Sequence, residues 1–348
     1  MYEYMEKKIS KYNKKDSEKL IELLNKEGIK KDGNLEYTMG LFDGEKLIAT
    51  GSFFKNTLRC MAVDSSYQGE GLLNQVVTHL VNEEAQRGIY HLFLYTKCDK
   101  GEFFEGLGFN EIARADNLAL FMENRKNGFS DYLTRLKSES EGTGGKQAAI
   151  IMNANPFTLG HLHLVEKAAA ENDFVHLFAV SEDSSLVPFE IRYDLIKKGV
   201  SHLKNVIIHT TESYMISSAT FPSYFIKESD DVTLAQAEID ISIFKKIAEA
   251  LNITTRYVGE EPFSETTNIY NEVMQKELQK AGIGCVVIPR FEKEGEMVSA
   301  SKVRSLIKEN KFEEMEALVP ISTYEFFTSP DAEDIISKIK ECDDVIHH

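Results

Sequence analysis

Two hydrophobic periodicities divide the chain. Tyr37 to Phe42 and Lys46 to Phe54 are rich in aromatic and branched residues and are separated by Asp43-Gly44-Glu45. That arrangement predicts a hairpin, which Thr57 to Val63 extends by a third strand. From Leu72 to Arg87 the period changes: Leu73, Val76, Val77, Leu80 and Val81 share one helical face, and Gly88 marks the helix end. His91 to Tyr95 then reads as a strand.

Further along, short apolar runs alternate with amphipathic stretches. Ala148 to Met152, Phe174 to Val180, Val206 to His209, Thr254 to Val258 and Cys285 to Ile288 predict strands. Gly160 to Glu171, Glu190 to His202, Ile239 to Leu251, Thr267 to Ala281 and Ser301 to Glu309 predict helices. Strand-helix alternation of this kind builds a parallel sheet covered on both faces. Its ligands bind at the carboxyl ends of the strands, where the strand order reverses.

Between the two patterns, Ser138 to Lys146 contains only small, polar and glycine residues in no period, as a linker does. The chain of 348 residues is therefore expected to form an α/β domain over 1–137, a linker over 138–146 and a second α/β domain over 147–348. With 56 acidic and 40 basic residues the formal charge is −16, which disfavours nucleic acid and anionic membranes as partners. Any bound nucleotide must be held by local basic groups and backbone amides. The four cysteines lie far apart with no Cys-x-x-Cys pair, so buried free thiols are expected. No segment reaches the roughly 18 apolar residues of a membrane span; the expected location is cytoplasmic.

The chemistry concentrates at two strand-to-helix junctions. The first strand of the second half runs into Asn153-Ala154-Asn155-Pro156-Phe157-Thr158-Leu159-Gly160-His161, directly before an amphipathic helix. A helix start presents unpaired amides and partial positive charge, so phosphate is its natural guest. Gly160 lets backbone approach closely, and His161 can aim an imidazole N–H at a phosphate oxygen. Near the chain's end, Val298-Ser299-Ala300-Ser301-Lys302-Val303-Arg304 places hydroxyls at a second helix start and a guanidinium one turn in. His161 and His163 lie two residues apart on one helix and so point apart, and no protein metal ligand is assigned.

Thr158-x-Gly160-His161 resembles the His/Thr-x-Gly-His signature of the nucleotidyltransferase superfamily, and 298–304 resembles its second signature, Ile/Val-Ser-x-Ser/Thr-x-x-Arg. With Pro188-Phe189, Arg192, Tyr257-Val258-Gly259-Glu260-Glu261-Pro262-Phe263 and Thr266-Thr267-Asn268, the chain resembles the [citrate (pro-3S)-lyase] ligase family over nearly its whole length. The resemblance implies a Rossmann-like adenylyl-transfer domain with His161, Thr158 and Arg304 as catalytic residues. It implies that Asn153, Asn155, Pro156, Phe157, Gly160, Gly259, Glu260, Thr267, Ser299 and Ser301 bind ATP, which arrives with Mg²⁺. It further implies that acetate is activated as acetyl-adenylate and passed to the thiol of a CoA-like group on the citrate lyase acyl carrier subunit, with no tightly bound cofactor. Two alternatives stay open: a condensing nucleotidyltransferase acting on a phosphopantetheine or mononucleotide, and a CoA- or nucleotide-binding module without turnover.

In the first half, Gln68-Gly69-Glu70-Gly71-Leu72-Leu73 joins a strand to a helix, and Phe103-Phe104-Glu105-Gly106-Leu107-Gly108-Phe109 follows some thirty residues on. Together they resemble the acyl-CoA-binding core of the GNAT acetyltransferase fold. Leu73 stands where that loop ends in a small residue. Phe104 stands where many of those enzymes carry a tyrosine acid, and it has no proton to give. Gln68, Gly69, Glu70, Gly71 and Leu72 are therefore expected to recognise the carrier's CoA-like arm and not to serve acetyl transfer.

Overall fold

The structure, a computed structural model, describes residues 4–182, 184–215, 221–226, 228–260, 265–293 and 295–343, without the side chains of 229–230 and 265–269. It divides into two compact units: Met1–Ser130 with Phe221–Ser242, and Asp131–Thr220 with Ile243–His348. This division differs from the one expected at 138–146. A helix, Gly128–Glu139, runs through Ser138 and Glu139. Residues 221–242 join the first unit because Phe221, Tyr224, Phe225 and Ile226 are buried there.

The first unit contains β1 (Met5–Lys8), α1 (Lys14–Lys26), β2 (Tyr37–Asp43), β3 (Lys46–Phe54), β4 (Thr57–Val63), α2 (Leu72–Gln86), β5 (Phe93–Thr96), α3 (Gly101–Gly106), β6 (Asn110–Ala115) and β7 (Ala119–Glu123). Its sheet has the order β1-β2-β3-β4-β5-β7-β6, a GNAT-like arrangement that is antiparallel except at β4 and β5. Those two pair in parallel only at Thr57↔Phe93 and Leu58↔Leu94, so they part beyond Leu58 and Leu94. β5 starts at Phe93 and not at His91, because the preceding residues bond outside the ladder. His91 Nε2 lies 2.6 Å from Glu123 Oε2, and the Leu92 N–H donates to Asn124 Oδ1 at 2.8 Å. The apolar face of α2, with Val76, Val77 and Leu80, packs into a core with Met39, Ile48 and Leu58.

The second unit is built on α4 (Gly128–Glu139) from Asp131 onward, β8 (Gln147–Met152), α5 (Leu159–Glu171), β9 (Phe174–Ala179), α6 (Phe189–Gly199), β10 (Val206–Thr210), the part of α7 (Ser229–Leu251) from Ile243 onward, β11 (Thr255–Gly259), α8 (Glu265–Lys280) and β12 (Gly284–Ile288). A small hairpin of β13 (Glu292–Lys293) and β14 (Glu296–Met297) precedes α9 (Ala300–Lys308), α10 (Phe312–Glu316), α11 (Ile321–Phe327) and α12 (Glu333–Glu341). The five-stranded sheet is wholly parallel in the order β10-β9-β8-β11-β12. Successive strands leave β8 first on one side and then on the other, so the order reverses between β8 and β11. The core between sheet and helices includes Ile150, Leu177, Ile196, Val303 and Phe327. α7 starts at Ser229 and not near Ile239.

Among the described residues no helix is long and apolar enough to cross a membrane. All four cysteines are free, but only Cys60 is buried; Cys98, Cys285 and Cys342 are partly exposed, which corrects the expectation of four buried thiols.

Candidate active site

Strand β8 opens into a loop of unusual backbone. Ala154 is left-handed at φ 51 and the Asn155-Pro156 bond is cis. Two buried arginines from different helices hold this loop by its carbonyls. Arg192 of α6 donates through Nη1 to Asn153 O at 2.7 Å and Val180 O at 2.9 Å, through Nε to Val187 O at 3.0 Å, and through Nη2 to Glu182 O at 2.5 Å. Arg304 of α9 donates through Nη1 to Asn155 O at 2.6 Å. Asn155 Oδ1 in turn accepts from the Val187 N–H at 3.0 Å, and the carbonyl of the buried Phe157 accepts from Thr323 Oγ1 at 3.0 Å. Backbone carbonyls buried beside a sheet need such donors, and the charged ones bind strongest.

The loop delivers the chain into α5, whose N-cap is Thr158. The Thr158 side chain accepts from the His161 N–H, while the Thr158 N–H donates to His161 Nδ1 at 3.1 Å, closing a capping box. The Thr158 hydroxyl shares the same nitrogen at 2.9 Å. An amide N–H has only a proton to offer, so Nδ1 is the acceptor and the neutral ring carries its proton on Nε2. The imidazole stacks on Phe157 with centroids 5.8 Å apart, and burial pushes its pKa down to about 4. It is therefore a neutral hydrogen-bond donor across the physiological range.

Helix α9 begins in the same way, with Ser299 as N-cap accepting from the Lys302 N–H at 3.2 Å and Ser301 Oγ 3.2 Å from Ser299 Oγ. What brings the two helix starts together is Gly160. A methyl group at that position would lie 3.2 Å from the Val298 carbonyl oxygen and 3.8 Å from Val298 Cγ1, the first of these tighter than packing ordinarily allows. Gly160 thus brings the start of α5 against Val298, the residue before the N-cap of α9, at the carboxyl end of the sheet. Asn153 adds a buried Oδ1 without a protein partner, its Nδ2 donating to Ser185 Oγ at 2.9 Å.

On the far side of the reversal point, Gly259 ends β11 and Glu260 follows it, both exposed. The Glu260 N–H donates to Ile288 O at 2.9 Å and Arg290 Nε donates to Glu260 O at 3.1 Å, so the backbone there is held while the carboxylate faces solvent. Thr267 lies in α8, but its side chain, like Glu261, Pro262 and Phe263, is outside the described residues. His163 turns from His161 and packs on Phe291, centroids 5.0 Å apart. Arg304, expected on the phosphates, is almost wholly buried with Nη1 on a backbone oxygen. The buried hub formed by Arg192 is marked in the sequence by resemblance alone; nothing in its local pattern signals four-way carbonyl binding.

In the first unit, Gln68, Gly69, Gly71 and Leu72 line a cavity of about 730 Å³ in the opening between β4 and β5. Gly71 is the left-handed N-cap of α2 at φ 76, and a side chain there would meet open space. Glu70 does not line the cavity, and its carboxylate accepts from the Tyr4 hydroxyl at 2.6 Å. Leu73 and Phe104 are also in the wall.

A model of the citrate lyase ligase C-terminal domain family matches residues 147–327. The [Citrate [pro-3S]-lyase] ligase of Klebsiella pneumoniae is 41% identical over 287 residues, 81% of this chain and 84% of that protein. The Escherichia coli (strain K12) protein of the same description is 38% identical over 320 residues, 90% of each chain. Among solved structures, an acyl-CoA N-acyltransferase from Pseudomonas aeruginosa matches 35% of this chain and 100% of its own, at 12% identity and a TM-score of 0.31.

Proposed function

The chain belongs to the [citrate (pro-3S)-lyase] ligase family, and on that premise we propose that it joins acetate to the thiol of the CoA-like group on the citrate lyase acyl carrier subunit, converting ATP to AMP and pyrophosphate. An acetate oxygen attacks the α-phosphorus of ATP, and the bond from that phosphorus to the pyrophosphate oxygen breaks. The carrier sulfur then attacks the acetyl carbon, AMP departs with the bonding pair, and the thiol proton passes to solvent. Mg²⁺ enters with ATP, held mainly by phosphates and water.

The first step needs stabilisation of anionic oxygen and no strong base. His161 supplies a neutral Nε2–H donor, oriented by the Thr158 cap. The amides at the starts of α5 and α9, with the Ser299 and Ser301 hydroxyls, suit the phosphates. Arg304 gives positive charge beneath them while holding Asn155. Asn155, Pro156 and Phe157 shape the loop, and the unpaired Asn153 Oδ1 suits a nucleotide N–H. Gly259, Glu260 and Thr267 belong to the base-and-ribose side, across the strand-order reversal. In the first unit, Gln68 to Leu72 receive the carrier's arm, with the Glu70 carboxylate turned to Tyr4.

The observation that carries the reading is the close approach of Gly160 to Val298, which joins two distant phosphate-suited helix starts. The test is exchange of labelled pyrophosphate into ATP, expected only with acetate present. Exchange that requires a phosphorylated acceptor would instead make the chain a condensing nucleotidyltransferase. Absence of both exchange and AMP release with acetate and carrier would leave a binding module.

A further inference from the structure

The chemistry of the first unit's cavity changes from one end to the other. Cys60 and Tyr95 come just after the last paired residues of β4 and β5, Leu58 and Leu94, and so stand at the narrow vertex where the strands part. The loops after Val63 and Thr96 form the wide end, with Gly69, Gly71, Lys97 and Lys100 in its wall. Backbone groups at the vertex have lost their ladder partners and must find others. A tyrosine fills that role: the Tyr224 hydroxyl donates to Tyr95 O at 3.5 Å and lies beside the Cys60 backbone. Tyr224 is anchored from behind by the Lys30 N–H, which donates to its carbonyl at 2.7 Å, and Phe221 packs edge-on against Tyr95 at 5.4 Å. Phe225 follows, edge-on to Tyr224 at 5.3 Å, and both residues line the cavity.

Resting on the arm-binding reading above, we infer that Tyr224 and Phe225 close the inner end of this cavity, making it a blind pocket that holds an acetyl thioester on a phosphopantetheine arm and rejects longer acyl chains. A linear ligand with phosphate at one end and a short apolar group at the other matches a cavity with Gly69, Gly71, Lys97 and Lys100, beside Asp99 and Glu102, at its mouth and aromatic rings at its vertex. Phe104 has no acidic proton to give, and the Tyr224 hydroxyl is turned to the Tyr95 carbonyl. The pocket holds the thioester, and its depth measures the acyl chain.

The experiment titrates the full chain with acetyl-, butyryl- and hexanoyl-CoA by calorimetry. Hexanoyl-CoA is expected to bind about tenfold or more weakly than acetyl-CoA, and Phe225→Ala to bring the two within about threefold, the scale on which methylene groups are sorted by a packed pocket. No binding of acetyl-CoA, equal affinities in the wild type, or an unchanged preference in a folded Phe225→Ala overturns the inference. Should that variant not fold, hydrogen exchange on the wild type decides: acetyl-CoA must slow the amides of Tyr224, Phe225 and Ile226, and unaltered rates there overturn it. Displacement of acetyl-CoA by the acetylated carrier subunit assigns the pocket to the carrier's arm; failure to displace it assigns the pocket to free acetyl-CoA and overturns the holding role. Pyrophosphate exchange on the same preparation, without any CoA, reads the ligase reaction separately, so its failure is not confused with a failure of acyl sorting.

Discussion

His161→Asn separates the two jobs that the imidazole holds. In asparagine, Oδ1 stands as many bonds from the backbone as Nδ1 does, so it can still accept from the Thr158 N–H and keep the capping box closed. The donor at the ε position is lost. Removing one preorganised donor from a developing charge costs about 2.7–4 kcal/mol, so turnover should fall by about 10² to 10³. The ground state changes less, and KM for ATP should stay within about threefold. Loss of the ring stack on Phe157 should cost stability on the order of 1 kcal/mol, a few degrees in Tm for a domain this size. Acetate-dependent pyrophosphate exchange with a parallel thermal melt reads both quantities. A His161→Asn variant that keeps more than about a third of wild-type turnover would refute the donor role, since losing the donor should cost far more.

Other expectations follow from the same geometry. Arg304→Ala leaves the Asn155 carbonyl without its Nη1 donor, which should destabilise by about 1–3 kcal/mol and raise KM for ATP more than it lowers kcat; steady-state kinetics and denaturant melts check both. Gly199→Ala drives a methyl group into Phe157 Cε1, and overpacking of about 1–3 kcal/mol should appear as a lower melting temperature together with weaker exchange activity. The His161 pKa is pushed down to about 4 in the fold, against 6.5 for the free group, so below pH 6.5 the unfolded chain takes up a proton that the folded one refuses. Wild-type stability therefore loses this contribution as pH falls from about 6.5 towards 4. The deficit of His161→Asn relative to wild type should accordingly shrink between pH 7.5 and 5, and a deficit that stays constant in urea melts would show that the ring is not held neutral.

The parts of this molecule that are legible in its sequence are those governed by near neighbours. The helix starts at Thr158 and Ser299 are readable because an N-cap is a contact between residues three apart, and the alternation that predicts a parallel sheet is local apolar patterning. The boundaries move where a long-range bond intervenes, as at His91 and Leu92, whose partners are Glu123 and Asn124. Arg304 shows what a motif leaves out: its spacing announces a cation near the helix start but says nothing of the backbone oxygen 149 positions away that its Nη1 binds.

The stretch after β10 carries a warning of a different sort. Between Val206–His209 and Ile239 the apolar pattern predicts no element, and an unstructured loop of more than about 15 residues is uncommon inside a compact domain. Phe221-Pro222-Ser223-Tyr224-Phe225-Ile226 is also too apolar to be left in water, since burying side chains of that kind contributes about 1.5–3 kcal/mol each. Composition can therefore say that this segment packs somewhere, but not where. The reason is physical: the vacancy it fills is created by β4 and β5 parting after two paired residues, a property of tertiary geometry that neither strand encodes alone. A segment far along the chain supplies the floor of a cavity whose mouth is written near its beginning, and the two become one site only when the fold is complete.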